Sequence, residues 1–314
     1  MQRCLQLAAL GFGKTSPNPM VGAVIVCDGK IIGEGYHHKC GEAHAEINAI
    51  NSVKNKELLT KSTLYVNLEP CSHHGKTPPC ADAIIQHKIP KVVIGSIDHN
   101  SKVNGSGISK LQNAGIDLVI NVCQKDCETL NSRFFSFHKK QRPYIILKWA
   151  QTNDGFMDID RDLDKGKSNW ITNPALKVLV HKWRSEEDAI IVGFNTIKND
   201  NPQLTTREYV GKNPKRFVMQ RGTEIISKNS YNPISENVRE AINQLYNFGV
   251  QSVIVEGGRR TICKFLDSEM WDEARILLGN INWGRGLKAP EIPKIPNEII
   301  DIDGNKLIYV RRYL

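Results

Sequence analysis

Several features are scarce in this chain, and each scarcity removes a class of function. No apolar stretch approaches the roughly 18 residues that crossing a bilayer requires. The opening Met1-Gln2-Arg3-Cys4-Leu5 lacks the apolar core and small-residue cleavage site of a secretory signal, so a cytoplasmic protein is expected. Lys and Arg outnumber Asp and Glu by 42 to 33, but they are scattered. There is no block of about five or more like charges and no aromatic interleaving, so polynucleotide binding is not the expected use of the excess. Attraction of small phosphorylated ligands suits it better. Internal repeats and low-complexity segments are absent as well, which excludes solenoids and arrays.

The eight cysteines fall at irregular positions: Cys4, Cys27, Cys40, Cys71, Cys80, Cys123, Cys127 and Cys263. Without a signal they read as thiols or metal ligands, not as a disulfide framework. Cys123 and Cys127 are spaced to share a helix face and are expected to pack. At 314 residues, 40% hydrophobic and 24% charged, the chain suits two globular domains. The polar run His138-Lys139-Lys140-Gln141-Arg142-Pro143 marks the boundary, giving domains 1–142 and 143–314.

Both halves alternate strand and helix, the pattern of layered α/β domains. In the first, a helix over 1–12 precedes strands Val21–Cys27 and Ile31–Tyr36, joined through the hairpin turn Asp28-Gly29. Helices are expected from about Ala43, over Pro79–Gln86, over Ser109–Asn113 and over Gln124–Phe137. Strands are expected at Leu64–Val66, Lys91–Ser96 and Asp117–Ile120, and Tyr144–Trp149 opens the second half. There, strand Val253–Val255 runs through Glu256-Gly257-Gly258 into a short helix over Ile262–Leu266. That turn is not the G-x-G-x-x-G fingerprint, and nothing after Pro143 has metal-ligand spacing.

The chemistry concentrates in Asn67-Leu68-Glu69-Pro70-Cys71-Ser72-His73-His74-Gly75-Lys76-Thr77-Pro78-Pro79-Cys80, with His44-Ala45-Glu46 upstream. One His, a Glu two residues on, and a distant pair of cysteines form the pattern of zinc-dependent deaminases. His44, Cys71 and Cys80 would hold the metal tetrahedrally and leave its fourth position to water, whose pKa falls towards about 7. Glu46 would not ligate but would carry the proton to the ring nitrogen and the departing amine. Nucleoside and nucleic-acid deaminases bring their cysteines together as C-x-x-C; here eight residues intervene.

That enlarged loop, Glu69-Pro70-Cys71-Ser72-His73-His74-Gly75-Lys76-Thr77-Pro78-Pro79-Cys80, resembles the deaminase half of the bifunctional riboflavin-biosynthesis deaminase/reductases. The second half is similar to the reductase domain of the same family in Leu147-Lys148-Trp149-Ala150, Asp154-Gly155, Ser168-Asn169-Trp170-Ile171-Thr172 and Val255-Glu256-Gly257-Gly258. Thr196, Asp200, Asn201, Pro202, Leu204, Thr205 and Arg207 complete the ordered set.

The resemblance implies a cytidine-deaminase-like three-layer domain followed by a dihydrofolate-reductase-like α/β domain. It implies zinc and NADPH as cofactors and a small phosphorylated pyrimidine as substrate. The first activity would deaminate 2,5-diamino-6-ribosylamino-4(3H)-pyrimidinone 5′-phosphate. The second would reduce the ribosyl group of 5-amino-6-(5-phosphoribosylamino)uracil to ribityl. By the same matches Ala150, Trp170, Thr196, Asp200 and the turn Gly258, Arg259, Arg260, Thr261 and Ile262 would face NADPH. Ser168, Leu204, Arg207 and Glu256 would face the substrate of the reductase, with Lys148 or Glu256 giving the proton. Asn18, His37 and Lys76, together with the stretch from Asp98 to Gly105, would hold the substrate of the deaminase.

The chain departs from the family at Thr152-Asn153, at Gln220-Arg221 and at Arg259-Arg260, which bears on cofactor contacts in the reductase. The residues alone leave other readings open: a nucleoside or tRNA deaminase with an accessory domain, or a deaminase with a degenerate, non-catalytic reductase half. A homo-oligomer is compatible with the sequence, and NADPH is not separated from NADH by any identifiable clamp.

Overall fold

A computed structural model describes residues 1–72, 78–98, 105–163, 169–221, 231–292 and 294–312. The chain divides into two units, Met1–Gln141 and Arg142–Leu314. The first begins with α1 (Gln2–Ala9), the hairpin β1 (Gly22–Cys27) and β2 (Lys30–Tyr36), and α2 (Ala45–Ser52). A 3-10 segment (Lys56–Lys61) leads to β3 (Thr63–Val66), α3 (Cys80–Gln86), β4 (Lys91–Ile94), α4 (Ser106–Asn113) and β5 (Asp117–Val119). Helices α5 (Gln124–Leu130) and α6 (Ser132–Lys140) close the unit.

Its sheet has the order β2-β1-β3-β4-β5, with β1 antiparallel to both neighbours and β3, β4 and β5 parallel. Alternation along β1 assigns each side chain to a layer. Ala23 and Ile25 pack with Ala45, Ala49 and Ile84 of α2 and α3, whereas Val24 turns to Cys4 and Leu7 of α1. The result is helix, sheet, helix. Asp28 and Gly29 both take positive φ, 49° and 73°, as a two-residue hairpin turn requires. At Gly35 a Cβ would lie 2.3 Å from the Ala49 nitrogen, so glycine is what lets α2 rest directly on β2.

One helix expected over Gln124–Phe137 is two. The break falls at Asn131, whose Oδ1 accepts from the Met20 N–H at 2.8 Å and whose Nδ2 donates to the Met20 carbonyl at 2.9 Å. That buried exchange ties the α5–α6 corner to the segment entering β1 and outweighs helix continuity.

The second unit runs through β6 (Tyr144–Thr152), β7 (Phe156–Asp158), α7 (Pro174–Glu186), β8 (Ala189–Gly193) and α8 (Phe194–Asp200). Next come β9 (Lys215–Gln220), β10 (Asn232–Ser235), α9 (Val238–Asn247), β11 (Ser252–Val255) and α10 (Arg259–Asp267). It ends with β12 (Glu273–Gly279), β13 (Leu287–Lys288), β14 (Glu298–Ile302) and β15 (Asn305–Arg311). The eight-stranded sheet has the order β10-β9-β8-β11-β6-β12-β15-β14. It is parallel from β10 to β12 and antiparallel where β15 pairs with β12 and β14.

Central strands buried on both faces read as continuous apolar runs. On β6, Ile145, Leu147 and Trp149 join the core with α9 and α10, while Tyr144 and Ile146 join α7. Lys148 lies on that second face, an ionic interruption of an apolar set. The helix expected over Ile262–Leu266 begins earlier, at Arg259. Thr261 and Ile262 donate backward to the Gly258 carbonyl at 2.9 and 3.3 Å, so these residues form a first helical turn in place of a loop. Among the described residues no helix is long and apolar enough to cross a membrane.

Candidate active sites

In the first unit the site is built at the start of two helices and the end of β3. His44 is the N-cap of α2 and puts Glu46 in its first turn. Pro79, which cannot continue a preceding helix, caps α3 and places Cys80 at that helix's first position. Cys71 lies in the loop after β3 and is held by α3, whose Cys80 N–H donates to the Cys71 sulfur at 3.3 Å. His44 Nδ1 then lies 3.5 Å from Cys71 Sγ and 3.3 Å from Cys80 Sγ. Ligands at about 2.0–2.3 Å from a tetrahedral zinc stand roughly 3.3–3.8 Å apart. The three atoms, all within 4.8 Å of one another, therefore fit that ion, with no carboxylate in the set.

Glu46 is buried beside them. Burial, reinforced by the Cys71 charge, pushes its carboxyl up to about 7, the range in which a group both takes and gives a proton near neutrality. A hydrogen bond from Cys80 is the main influence drawing the Cys71 thiol down, with His44 adding to it.

His37 and Asn18 meet in the same region. His37 Nδ1 lies 3.1 Å from the Ala43 carbonyl, which can only accept, so that nitrogen carries the hydrogen. Burial lowers the His37 pKa and keeps the ring neutral, leaving Nε2 to accept from the Asn18 amide at 3.0 Å. The His37 ring stands edge-on to His44 with centroids 5.3 Å apart. Lys76 and residues 99–104 lie outside the described residues.

The second unit holds a cavity of about 1060 Å³ at the ends of β8, β9 and β11, lined in part by Gly193, Thr196, Met219, Glu256 and Gly258. The carboxyl ends of parallel strands are where open α/β sheets take ligands. Thr196, Asp200, Glu256, Gly258, Arg259, Arg260 and Thr261, expected to face cofactor or substrate, all border it, and so does Arg221. Thr196 Oγ1 accepts from the Gly258 N–H at 3.1 Å, joining the β8 and β11 ends. Arg161 spans Asp158 at 2.6 Å and Asp200 at 2.7 Å.

Other expected residues lie elsewhere. Ile262 turns into the core with Phe265, and Leu204 is buried against α7 and α8 with Ala150 at the edge of that cluster. Trp170 is 55% exposed with the Lys177 ammonium over its ring. The Arg207 guanidinium donates to Gln203 Oε1 at 2.6 Å, and the Arg207 backbone N–H donates to His181 Nδ1 at 2.8 Å. Ser168 lies outside the described residues.

In the cavity wall, Glu256 receives a bidentate fork from Arg184, at 3.1 and 2.8 Å, and lies 3.7 Å from Lys148 Nζ. Burial alone would raise the Glu256 carboxyl, but Arg184 and Lys148 outweigh it and hold its pKa at about 2. Burial draws the Lys148 ammonium below its ordinary value. Arg184 was not among the expected residues. Its signal was available: Leu176, Val180 and Trp183 mark the buried stripe of α7, and a cation beside that stripe needs a partner.

Comparison with known proteins bears on both units. The cytidine and deoxycytidylate deaminase zinc-binding region matches residues 1–96, and the RibD C-terminal domain matches residues 143–292. The riboflavin biosynthesis protein RibD of Aquifex aeolicus (strain VF5) is 36% identical, covering 93% of this chain and 89% of that protein. The chain belongs to the RibD family. A second member, from Bacillus amyloliquefaciens, is 34% identical over 93% of this chain and 86% of its own length. The crystal structure of a diaminohydroxyphosphoribosylaminopyrimidine deaminase/5-amino-6-(5-phosphoribosylamino)uracil reductase from Thermotoga maritima superposes with a TM-score of 0.86 at 35% identity. It covers 99% of this chain and 97% of that one. Like other RibD proteins, the chain is a bifunctional enzyme of riboflavin biosynthesis, with a zinc deaminase domain first and a reductase domain second.

Proposed function

We propose that the first unit deaminates 2,5-diamino-6-ribosylamino-4(3H)-pyrimidinone 5′-phosphate and that the second reduces the ribosyl group of the resulting aminouracil to ribityl with NADPH. The observation that carries the reading is Glu46, a buried, non-ligating carboxyl beside a His-Cys-Cys set spaced for tetrahedral zinc. Bound zinc supplies a Lewis acid that makes water nucleophilic at neutral pH. Glu46 would take one proton from that water and pass it to the ring nitrogen, then take the second from the resulting hydroxyl and pass it to the amine, which leaves as ammonia. His37, neutral and fixed by the Ala43 carbonyl, orients Asn18 towards the base, and Lys76 receives the phosphate.

In the second unit, bound NADPH would supply the hydride that reduces C1′ of the ring-opened imine. The N-terminal turn of α10, with Arg259 and Arg260, suits the cofactor's phosphates. Lys148 gives the proton to the imine nitrogen: burial makes its ammonium a better acid, whereas Glu256, held ionised, has no proton to give. Glu256 and Arg184 fix the position of Lys148. Eight free cysteines accord with a reducing cytoplasm as the place of action, and a homo-oligomer is compatible with the reading.

Glu46→Gln tests the assignment. The variant is expected to retain one zinc per chain by metal analysis, lose deamination by a factor of at least about 100, and still reduce supplied 5-amino-6-(5-phosphoribosylamino)uracil. Full deaminase turnover in the zinc-loaded variant would remove Glu46 from the mechanism.

A further inference from the structure

Glu69 opens the cysteine loop, yet neither metal binding nor proton transfer uses it. It is 4% exposed, a carboxylate that needs strong partners to be buried at all. Its Oε2 accepts from the N–H groups of Asp98 at 3.2 Å and Gly105 at 3.0 Å. Its Oε1 accepts from Gly107 at 2.9 Å and Ile108 at 3.2 Å. One carboxylate thus gathers both ends of the connection between β4 and α4 and caps the first turn of α4. Gly105, the N-cap, sits in the left-handed region at φ 83° and offers no side-chain cap of its own.

Two further ties join the same stretches. The Ser72 and Ser106 hydroxyls are 2.6 Å apart. A Cβ on Gly107 would fall 2.0 Å from the Pro70 carbonyl, so α4 lies directly against the chain that delivers Cys71. Residues 69–72 therefore do two things: they present a metal ligand, and they fix the start of α4 at the carboxyl end of β4, where a ligand of this sheet would lie.

We propose that Glu69 is a positioning residue for substrate binding in the deaminase, holding Asp98 and residues 105–108 as a preformed wall of that site. Four charge-assisted hydrogen bonds to one buried carboxylate are a rigid fastening. A wall ordered beforehand spares the substrate the entropy of ordering it. Glu69 touches no reacting atom, so its loss acts on binding and not on the proton steps. The proposal rests on the deaminase reading of this unit.

The test is Glu69→Gln, which keeps one acceptor oxygen but turns an NH2 against two of the four N–H donors. Steady-state deamination is measured on full-length protein, with kcat expressed per bound zinc. Hydrogen exchange of the peptide spanning 105–113 and reduction of supplied aminouracil phosphate are measured alongside. The expected result is a KM raised about tenfold, which corresponds to about 1.4 kcal/mol. Zinc-normalised kcat should stay within about threefold (under 0.7 kcal/mol), exchange should be faster at 105–108, and reduction should be unchanged. An unchanged KM overturns the proposal whatever happens to thermal stability, because a purely structural role would lower the folded fraction alone. If Glu69→Gln does not fold, Ser106→Ala carries the test: a raised KM supports the fastening, and an unchanged one overturns it. A wild-type protein that does not deaminate would instead sink the deaminase reading itself.

Discussion

Replacing Glu256 by Gln probes the charge arrangement in the wall of the reductase cavity. The carboxylate is buried against the Arg184 fork, with Lys148 3.7 Å away. Its pKa is held at about 2 against an ordinary 4.5. At about 1.4 kcal/mol for each tenfold change in proton affinity, that depression corresponds to about 3 kcal/mol of folding stability. Because the folded-state value lies below the unfolded one, the contribution is complete above pH 4.5 and is lost as pH falls towards 2. Glu256→Gln removes it and leaves two cations facing each other. The expected cost is about 3 kcal/mol at pH 7, shrinking below pH 4.5 as the parent protein loses the same contribution. The assay is urea unfolding followed by tryptophan fluorescence. All five tryptophans, Trp149, Trp170, Trp183, Trp271 and Trp283, lie in Arg142–Leu314, so the signal reports that unit alone. A cost below about 1 kcal/mol at pH 7, the scale of an exposed ion pair, would refute the reasoning, as would a cost that does not shrink in acid.

Two further substitutions probe the two sites. Lys148→Met should lower reduction about 10²–10⁴-fold, the usual worth of a positioned proton donor, while deamination and NADPH binding by fluorescence titration stay near normal; unimpaired reduction would remove Lys148 from the proton step. Gly35→Ala puts a methyl 2.3 Å from the Ala49 nitrogen and should shift α2. A destabilisation of about 1–3 kcal/mol and weaker zinc retention against a competing chelator are expected; parental zinc affinity would show that α2 does not set His44.

The metal site was legible because each residue type in it has one job. Two thiols and an imidazole come together within 4.8 Å, as that pattern implies, and the nearby carboxylate of Glu46 lies outside their set. The layer pattern was legible from alternation and from the Asp28-Gly29 turn. What escaped depends on partners far away in sequence. Asn131 reads as an ordinary helix residue until its amide is seen on Met20, 111 positions away. Arg184 gains meaning only when the parallel sheet brings β6 and β11 together beneath α7. Ile262 and Leu204 matched an ordered motif, but position in a motif does not say which way a side chain points, and both are core. Arg259-Arg260 looked like a departure within a turn; the structure makes them the first turn of α10, beside the cavity.

One chain is expected to carry out two successive conversions. Purified, zinc-loaded protein incubated with 2,5-diamino-6-ribosylamino-4(3H)-pyrimidinone 5′-phosphate, with and without NADPH, tests it by product mass. Without NADPH the product should have exchanged one NH for O and gone no further; with NADPH it should also have gained two hydrogens. Recovery of unchanged diaminopyrimidine phosphate in both incubations would contradict the account.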